Sequence, residues 1–265
     1  MKLLTLNTHS LMEKDYERKL DAFVDAIVKN KPEIIALQEV MQPKNANEAH
    51  FRGEMYTIGK IPAKEGNHAV NDLNKLKEKG LDYKLVWHGF KEAYNDYDEG
   101  LCILTNQEIL GVKELMLTKF EDYNSFKTRK AIAIKINDEW FYCVHFGWWD
   151  DEKSPFSDEW KSLLIKTKRN EKTWLLGDFN IDAKEQNEAY NLIKNDFYDT
   201  YLLAKDKDDG ISVKGKIDGW EKNSKDKRID YIFTNRNVPI ISSKIIFNGE
   251  NGEIISDHYG VMVTF

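Results

Sequence analysis

Cysteine is nearly absent from this sequence. The two that occur, Cys102 and Cys143, sit in short apolar runs (GLCILT and FYCVHF), and their spacing fits no zinc motif. They read as reduced core residues, which argues against a disulfide framework or a cysteine metal centre. Long apolar runs are missing too. No segment approaches the roughly 20 apolar residues of a membrane-spanning helix. The opening MKLLTLNTHS has an apolar stretch too short for an export signal, so a cytoplasmic protein with no membrane partner is expected. Basic residues do not dominate: 39 Lys and Arg face 45 Asp and Glu, a net charge of −6. That balance counts against bulk nucleic acid as the main partner, because phosphate-backbone affinity rests on Lys and Arg, although a local basic patch stays open. There is no P-loop or dinucleotide fingerprint, no G-x-S-x-G nucleophile motif, no repeat and no low-complexity tract. Nothing in the sequence speaks to oligomeric state.

What is present is a dense succession of short apolar runs. Residues 3–6 read as a strand, and Tyr16, Leu20, Phe23, Val24 and Ile27 recur at helical spacing up to Asn30, before Pro32. Residues 34–37 are wholly apolar, the mark of a strand covered on both faces. Residues 41–62 look like loop, and Val70, Leu73 and Leu76 suggest a second helix closed by Gly80. Strand-like segments follow at 83–90, 100–105, 109–117, 130–136 and 140–146, then a helix through Phe156, Trp160, Leu163 and Leu164. A buried strand at 173–177, a helix near 185–195, a polar loop with a short strand at 205–227, and strands at 229–234, 238–247 and 259–265 complete the chain. Many strands with a few helices between them predict one domain, residues 1–265, of two packed sheets with helices outside.

The polar residues that end these apolar strands carry the chemistry. Asn7 follows LLTL, Glu39 follows IIALQ, and His145 follows FYCV with Trp148 and Trp149 behind it. Asp178 and Asn180 project from Gly177-Asp178-Phe179-Asn180 after TWLLG. In RIDYI, two-residue alternation puts Arg228 and Asp230 on one face, opposite Ile229 and Tyr231. Asp257 and His258 stand in SDH before the last strand. Each has an ordinary alternative: a turn for Asn7, a structural histidine for His145, a surface ion pair for Arg228 and Asp230, a helix cap for Ser256 or Asp257, core packing for the tryptophans. Taken together, acids, histidines and asparagines at strand ends suit metal-assisted hydrolysis.

In this order, LNTH, LQEV, HFGWW, GDFN, RIDYIF and SDH resemble the endonuclease/exonuclease/phosphatase superfamily over residues 3–265. The resemblance implies an α/β (α+β) four-layer sandwich of the deoxyribonuclease-I-like kind, two facing mixed sheets flanked by helices, with the site at one rim. It implies Mg²⁺, with Mn²⁺ as a substitute, held by Glu39 with Asn7 beside it and Asp257 supporting the metal side. Asp178 would orient the attacking water, Asn180 would bind the phosphoryl group, and His258, oriented by Asp230, would act as base or phosphate contact. His145 would contact the phosphate or assist the leaving oxygen, paired with Glu99, and Arg129 would contact phosphate. YDEG, HFGWW and IDGWE resemble the bacterial branch that includes the maltose 6'-phosphate phosphatases. That implies a small phosphorylated sugar as substrate, with Trp148, Trp149 and Trp220 as candidates for stacking on it. A nuclease of the same fold is the alternative, and a non-catalytic binding module is a third reading. A secreted sphingomyelinase would need the missing export signal.

Overall fold

A computed structural model describes residues 1–51, 53–167, 170–184, 189–217 and 224–265. The chain runs β1 (Lys2–Asn7), α1 (Tyr16–Asn30), β2 (Ile34–Pro43), β3 (Met55–Thr57), α2 (His68–Glu78), β4 (Lys84–Ala93) and β5 (Tyr97–Thr105). It continues with β6 (Gly111–Met116), β7 (Lys130–Ile136), β8 (Glu139–His145), α3 (Phe156–Lys166), β9 (Lys172–Asp178) and α4 (Ala189–Lys194). The last elements are β10 (Tyr198–Asp199), α5 (Thr200–Leu203), β11 (Ala204–Lys207), β12 (Asp230–Thr234), β13 (Ile240–Ile246) and β14 (Gly260–Thr264).

The strands form two mixed sheets. One has the order β11-β13-β14-β1-β2-β5-β4-β3, the other β10-β12-β9-β8-β7-β6. Alternation along each strand explains why so many read as continuous apolar runs. Leu3, Ile34 and Ala36 face the second sheet, where they meet a core containing Ile132, Phe141, Trp174 and Leu176. Their neighbours Leu4, Ile35 and Leu37 face outward onto Phe23, Val24 and Ile27 of α1 and Leu73 and Leu76 of α2. On the far side, Tyr142, Val144 and Leu175 meet Phe156, Trp160 and Leu163 of α3 and Tyr190 and Ile193 of α4. Strands covered on both faces need apolar residues at every position. Each fully buried Leu or Ile in these layers stabilises the fold by roughly 1.5–3 kcal/mol. The result is the expected four-layer sandwich. Cys102 and Cys143 are both free and buried within it.

Local signals set the helix ends. Lys31, just before Pro32, takes a left-handed conformation (φ 50°), and its N–H donates to Ile27 O at 2.8 Å, ending α1. The Asn67 side chain accepts from the N–H groups of Ala69 and Val70 and starts α2.

The structure departs from the sequence expectations at short or irregular elements. The expected loop at 41–62 contains the end of β2 and the three-residue β3, which pairs parallel with β4. In the polar stretch 205–227, β11 takes the first residues at the sheet edge, and Val213 bridges Lys227. The first residues of the helix expected near 185–195 lie outside the described residues, as does Trp220. Among the described residues no helix is long and apolar enough to cross a membrane.

Candidate active site

Sheet register brings the polar strand ends together. His145, Asp178 and Asp230 are neighbours across β8, β9 and β12. Gly177 makes that close pairing possible: a Cβ there would lie 1.9 Å from Val144 O. In the other sheet, Asn7 ends β1 beside Gln38. Glu39 occupies a bulge in β2, where the register with β5 shifts between Leu37 and Val40, and its φ is 52°. Bulges re-aim side chains at sheet ends, and this one turns the Glu39 carboxylate toward the second sheet.

Asn7 ties the two sheets. Its amide donates to Glu39 Oε1 at 2.9 Å and to Asp178 Oδ2 at 3.1 Å. Asp178 Oδ1 accepts the Asn180 N–H at 2.8 Å, and Asn180 holds φ 53°. The Asn180 amide donates to Phe146 O at 2.9 Å and lies 3.2 Å from His145 Nε2. That nitrogen is also 3.6 Å from Asp178 Oδ2 and 3.9 Å from Glu39 Oε1. His258 Nδ1 meets Asp230 Oδ2 at 2.9 Å.

The electrostatics divide these groups. Burial and the neighbouring Asp230 push Asp178 up to about 7. Burial, together with Arg129, Lys91 and His258, drives His145 well below the ordinary imidazole range, so it is neutral. For His258, burial would also remove the proton, but the charge and hydrogen bond of Asp230 prevail and raise it well above that range. Burial, Glu99 and Asp257 raise Glu39.

A cavity of about 420 Å³ opens over this constellation, lined by Glu39, Glu99, Arg129, His145, Trp148, Asp178, Asn180, Asp257 and His258 among others. The donor set fits a hard divalent cation. Glu39, Glu99 and Asp257 crowd negative charge into a partly buried space, and carboxylate oxygens are the ligands such ions prefer. Glu39 lines this cavity and senses both Glu99 and Asp257. The Asn7 amide N–H groups bridge the two carboxylates, and its Oδ1 accepts the His9 N–H at 3.3 Å. Asp178, Asp230 and His258 also lie within 4.8 Å of one another, a second group of possible ligands, held by hydrogen bonds from Asn7 and the Asn180 N–H and between His258 and Asp230.

Three expectations change. Glu99 does not pair with His145; its Oε1 meets Lys91 Nζ at 2.8 Å, directly across β4 and β5. Arg228 precedes β12, so strand alternation does not apply to it: it pairs with Asp199 at 2.7 Å and stacks over Tyr231 at 4.8 Å. Of the two candidate sugar-stacking tryptophans among the described residues, Trp148 lines the cavity, whereas Trp149 packs against Phe156 and the α3 core.

Sequence reasoning missed Lys91, Tyr94, Phe126 and His9. Lys91, Tyr94 and Phe126 line the cavity. His9, at φ 45°, bonds Glu13 at 2.8 Å and is raised to about 9, where burial is outweighed by Glu13, Asp257 and Glu39.

A family model described as Endonuclease/Exonuclease/phosphatase family matches residues 4–258. Among solved structures, an endonuclease/exonuclease/phosphatase family protein from Leptotrichia buccalis is 33% identical, with TM-score 0.88, covering 100% of this chain and 98% of that one. A mannosyl-6-phosphatase from Bacteroides thetaiotaomicron is 16% identical, with TM-score 0.63 and coverage of 100% and 98%. A 3' phosphatase from Neisseria, bound to product DNA hairpin, is 19% identical, with TM-score 0.64 and coverage of 100% and 99%. The last two share the fold. No curated protein sequence matches the chain.

Proposed function

The chain belongs to the endonuclease/exonuclease/phosphatase family, and from that premise we propose that it is a Mg²⁺-dependent phosphomonoesterase. Its proposed substrate is a phosphorylated sugar, maltose 6'-phosphate or a similar disaccharide phosphate. The supporting observation is the cavity of about 420 Å³, whose lining combines His145, Asp178 and His258 with the aromatic residues Trp148, Phe126 and Tyr94. A pocket of this size suits a small ligand, and aromatic walls suit the apolar faces of sugar rings. The mannosyl-6-phosphatase among the fold relatives acts on a substrate of the same class.

In this reading a water attacks phosphorus in line, and its bond to phosphorus forms as the bond to the sugar oxygen breaks. Asp178 takes the water proton. That proton passes to the departing alcohol through His145, whose Nε2 is 3.6 Å from Asp178 Oδ2. His258, fixed by Asp230, holds a phosphoryl oxygen through Nε2–H, with Asn180 and Arg129 beside it. A cation at Glu39 would neutralise charge on the phosphoryl oxygens.

The Neisseria relative, bound to DNA, supports a second reading as a hydrolase of nucleic-acid phosphoesters. The test is phosphate release from a panel of sugar phosphates, with Mg²⁺ and with EDTA, beside supercoiled plasmid. EDTA-sensitive release from a disaccharide phosphate with intact plasmid supports the sugar phosphatase. Plasmid nicking without phosphate release from the sugars overturns it.

A further inference from the structure

Lys91 lies 4% exposed in β4, beside a bulge where the register with β5 shifts between Gly89 and Lys91. Phe90 stays in the core between the sheets, while Lys91 reaches the cavity. Its Nζ contacts Glu99 Oε1 at 2.8 Å and Phe126 O at 3.3 Å. An ammonium has three N–H donors, so one is left without an acceptor among the described residues. Arg129, 4% exposed and lining the same cavity, forms no ion pair with a described residue, and its Nε has no hydrogen-bond partner. Its guanidinium lies 5.9 Å from the centre of the Trp148 ring. A buried cation with open donors is costly unless an anion meets it. Here such a cation, Arg129, shares one cavity with His145, Asp178 and Lys91, whose ammonium is met by Glu99 and keeps one open donor.

We propose, on the phosphomonoesterase reading, that Lys91 is a specificity-determining residue: with Arg129 it forms a two-armed clamp that selects a terminal phosphate over an internal diester. A terminal phosphate carries three non-bridging oxygens and a charge of about −1.5 to −2 at neutral pH. An internal diester offers two such oxygens and a single charge. The additional oxygen and charge require the additional donors, which Lys91 and Arg129 supply. Glu99 holds the Lys91 ammonium in position before substrate arrives and leaves it a free N–H.

The test compares the full chain with Lys91→Gln, Lys91→Arg and the double variant Lys91→Gln/Glu99→Gln, which removes both buried charges. Each is assayed with Mg²⁺ on p-nitrophenyl phosphate and bis-p-nitrophenyl phosphate, and inorganic phosphate binding is measured by calorimetry. The ratio of monoester to diester kcat/KM should fall at least about tenfold in Lys91→Gln and in the double variant, with phosphate binding weakened in parallel. Lys91→Arg should retain most of the ratio. An unchanged ratio, or undiminished phosphate binding, in folded variants overturns the assignment. Should Lys91→Gln not fold, the double variant decides alone. A wild-type protein that turns over the diester faster than the monoester overturns the phosphomonoesterase reading itself, whatever the variants do.

Discussion

His258 spans two carboxylates from adjacent strands: its Nδ1 is 2.9 Å from Asp230 Oδ2, and its Nε2 is 4.0 Å from Asp178 Oδ2. Asp230 therefore sets both the orientation of the ring and its charge. Asp230→Asn keeps the shape and removes the charge that outweighs burial at His258. We expect kcat to fall about 100- to 10,000-fold with little change in KM, the range lost with an acid–base partner or its orienting group. Steady-state kinetics on a sugar phosphate check this, and a variant that changes KM alone would show that the charge Asp230 places on His258 does not act in the chemical step.

Glu39→Gln keeps a hydrogen-bonding side chain beside the Asn7 amide and removes one negative charge from the space shared with Glu99 and Asp257. Mg²⁺ affinity, measured by titration calorimetry, should weaken strongly. Turnover should fall at least about 100-fold, because the bound cation supplies the phosphoryl-charge neutralisation. Undiminished Mg²⁺ binding would move the ion away from Glu39.

Trp148 and Trp149 should separate cleanly. Trp148→Ala removes a cavity wall and an edge contact with Phe126, 6.4 Å between centroids, so KM should rise about 3- to 10-fold with kcat nearly kept. Trp149→Ala removes packing against Phe156 and should lower Tm without a matching KM effect. Equal kinetic effects from both would contradict this division.

What the sequence disclosed, and what it withheld, follows from range. Leu3-Leu4 and Ile34 to Leu37 serve two cores at once, so β1 and β2 announce themselves as unbroken apolar runs. β3 and β10 are three and two residues long, too short for any periodicity to register. Asp178, Asn180 and His258 stand in compact motifs at strand ends, where local order is enough to flag them. Lys91 escaped because its place in the cavity depends on a register shift with β5. The partner of Glu99 was misjudged for the same reason, since Lys91 faces it only through that pairing. Arg228 shows the opposite error: alternation was extended two residues before β12 begins at Asp230.

A second buried pair, remote from the site, makes stability depend on pH. In α2, His68 Nε2 lies 3.6 Å from Asp72 Oδ2, and neither Asp72 oxygen has a hydrogen-bond partner among the described residues. His68 Nδ1 meets Tyr16 OH at 3.0 Å, and Lys75 and the buried Cys102 are the other titratable groups sensed by Asp72. Burial pushes His68 down from 6.5 to about 4 and raises Asp72 well above 3.8, so wherever Asp72 keeps its proton the folded pair holds one while His68 is neutral. The unfolded pair holds one proton between 3.8 and 6.5 and none above 6.5. Over the range in which Asp72 keeps its proton, the pair's contribution is thus flat from about 4 to 6.5 and falls as pH rises beyond 6.5, because the folded state then binds the extra proton. The slope is at most about 1.4 kcal/mol per pH unit. Asp72→Asn removes that proton. The variant should instead gain stability as pH rises from about 4 to 6.5 and hold it above, where only the unfolded His68 has titrated. Urea melts of both proteins across this range check the sign: the stability of the variant relative to the wild type should rise with pH from about 4 upward, and parallel curves would show that Asp72 is ionised in the folded protein.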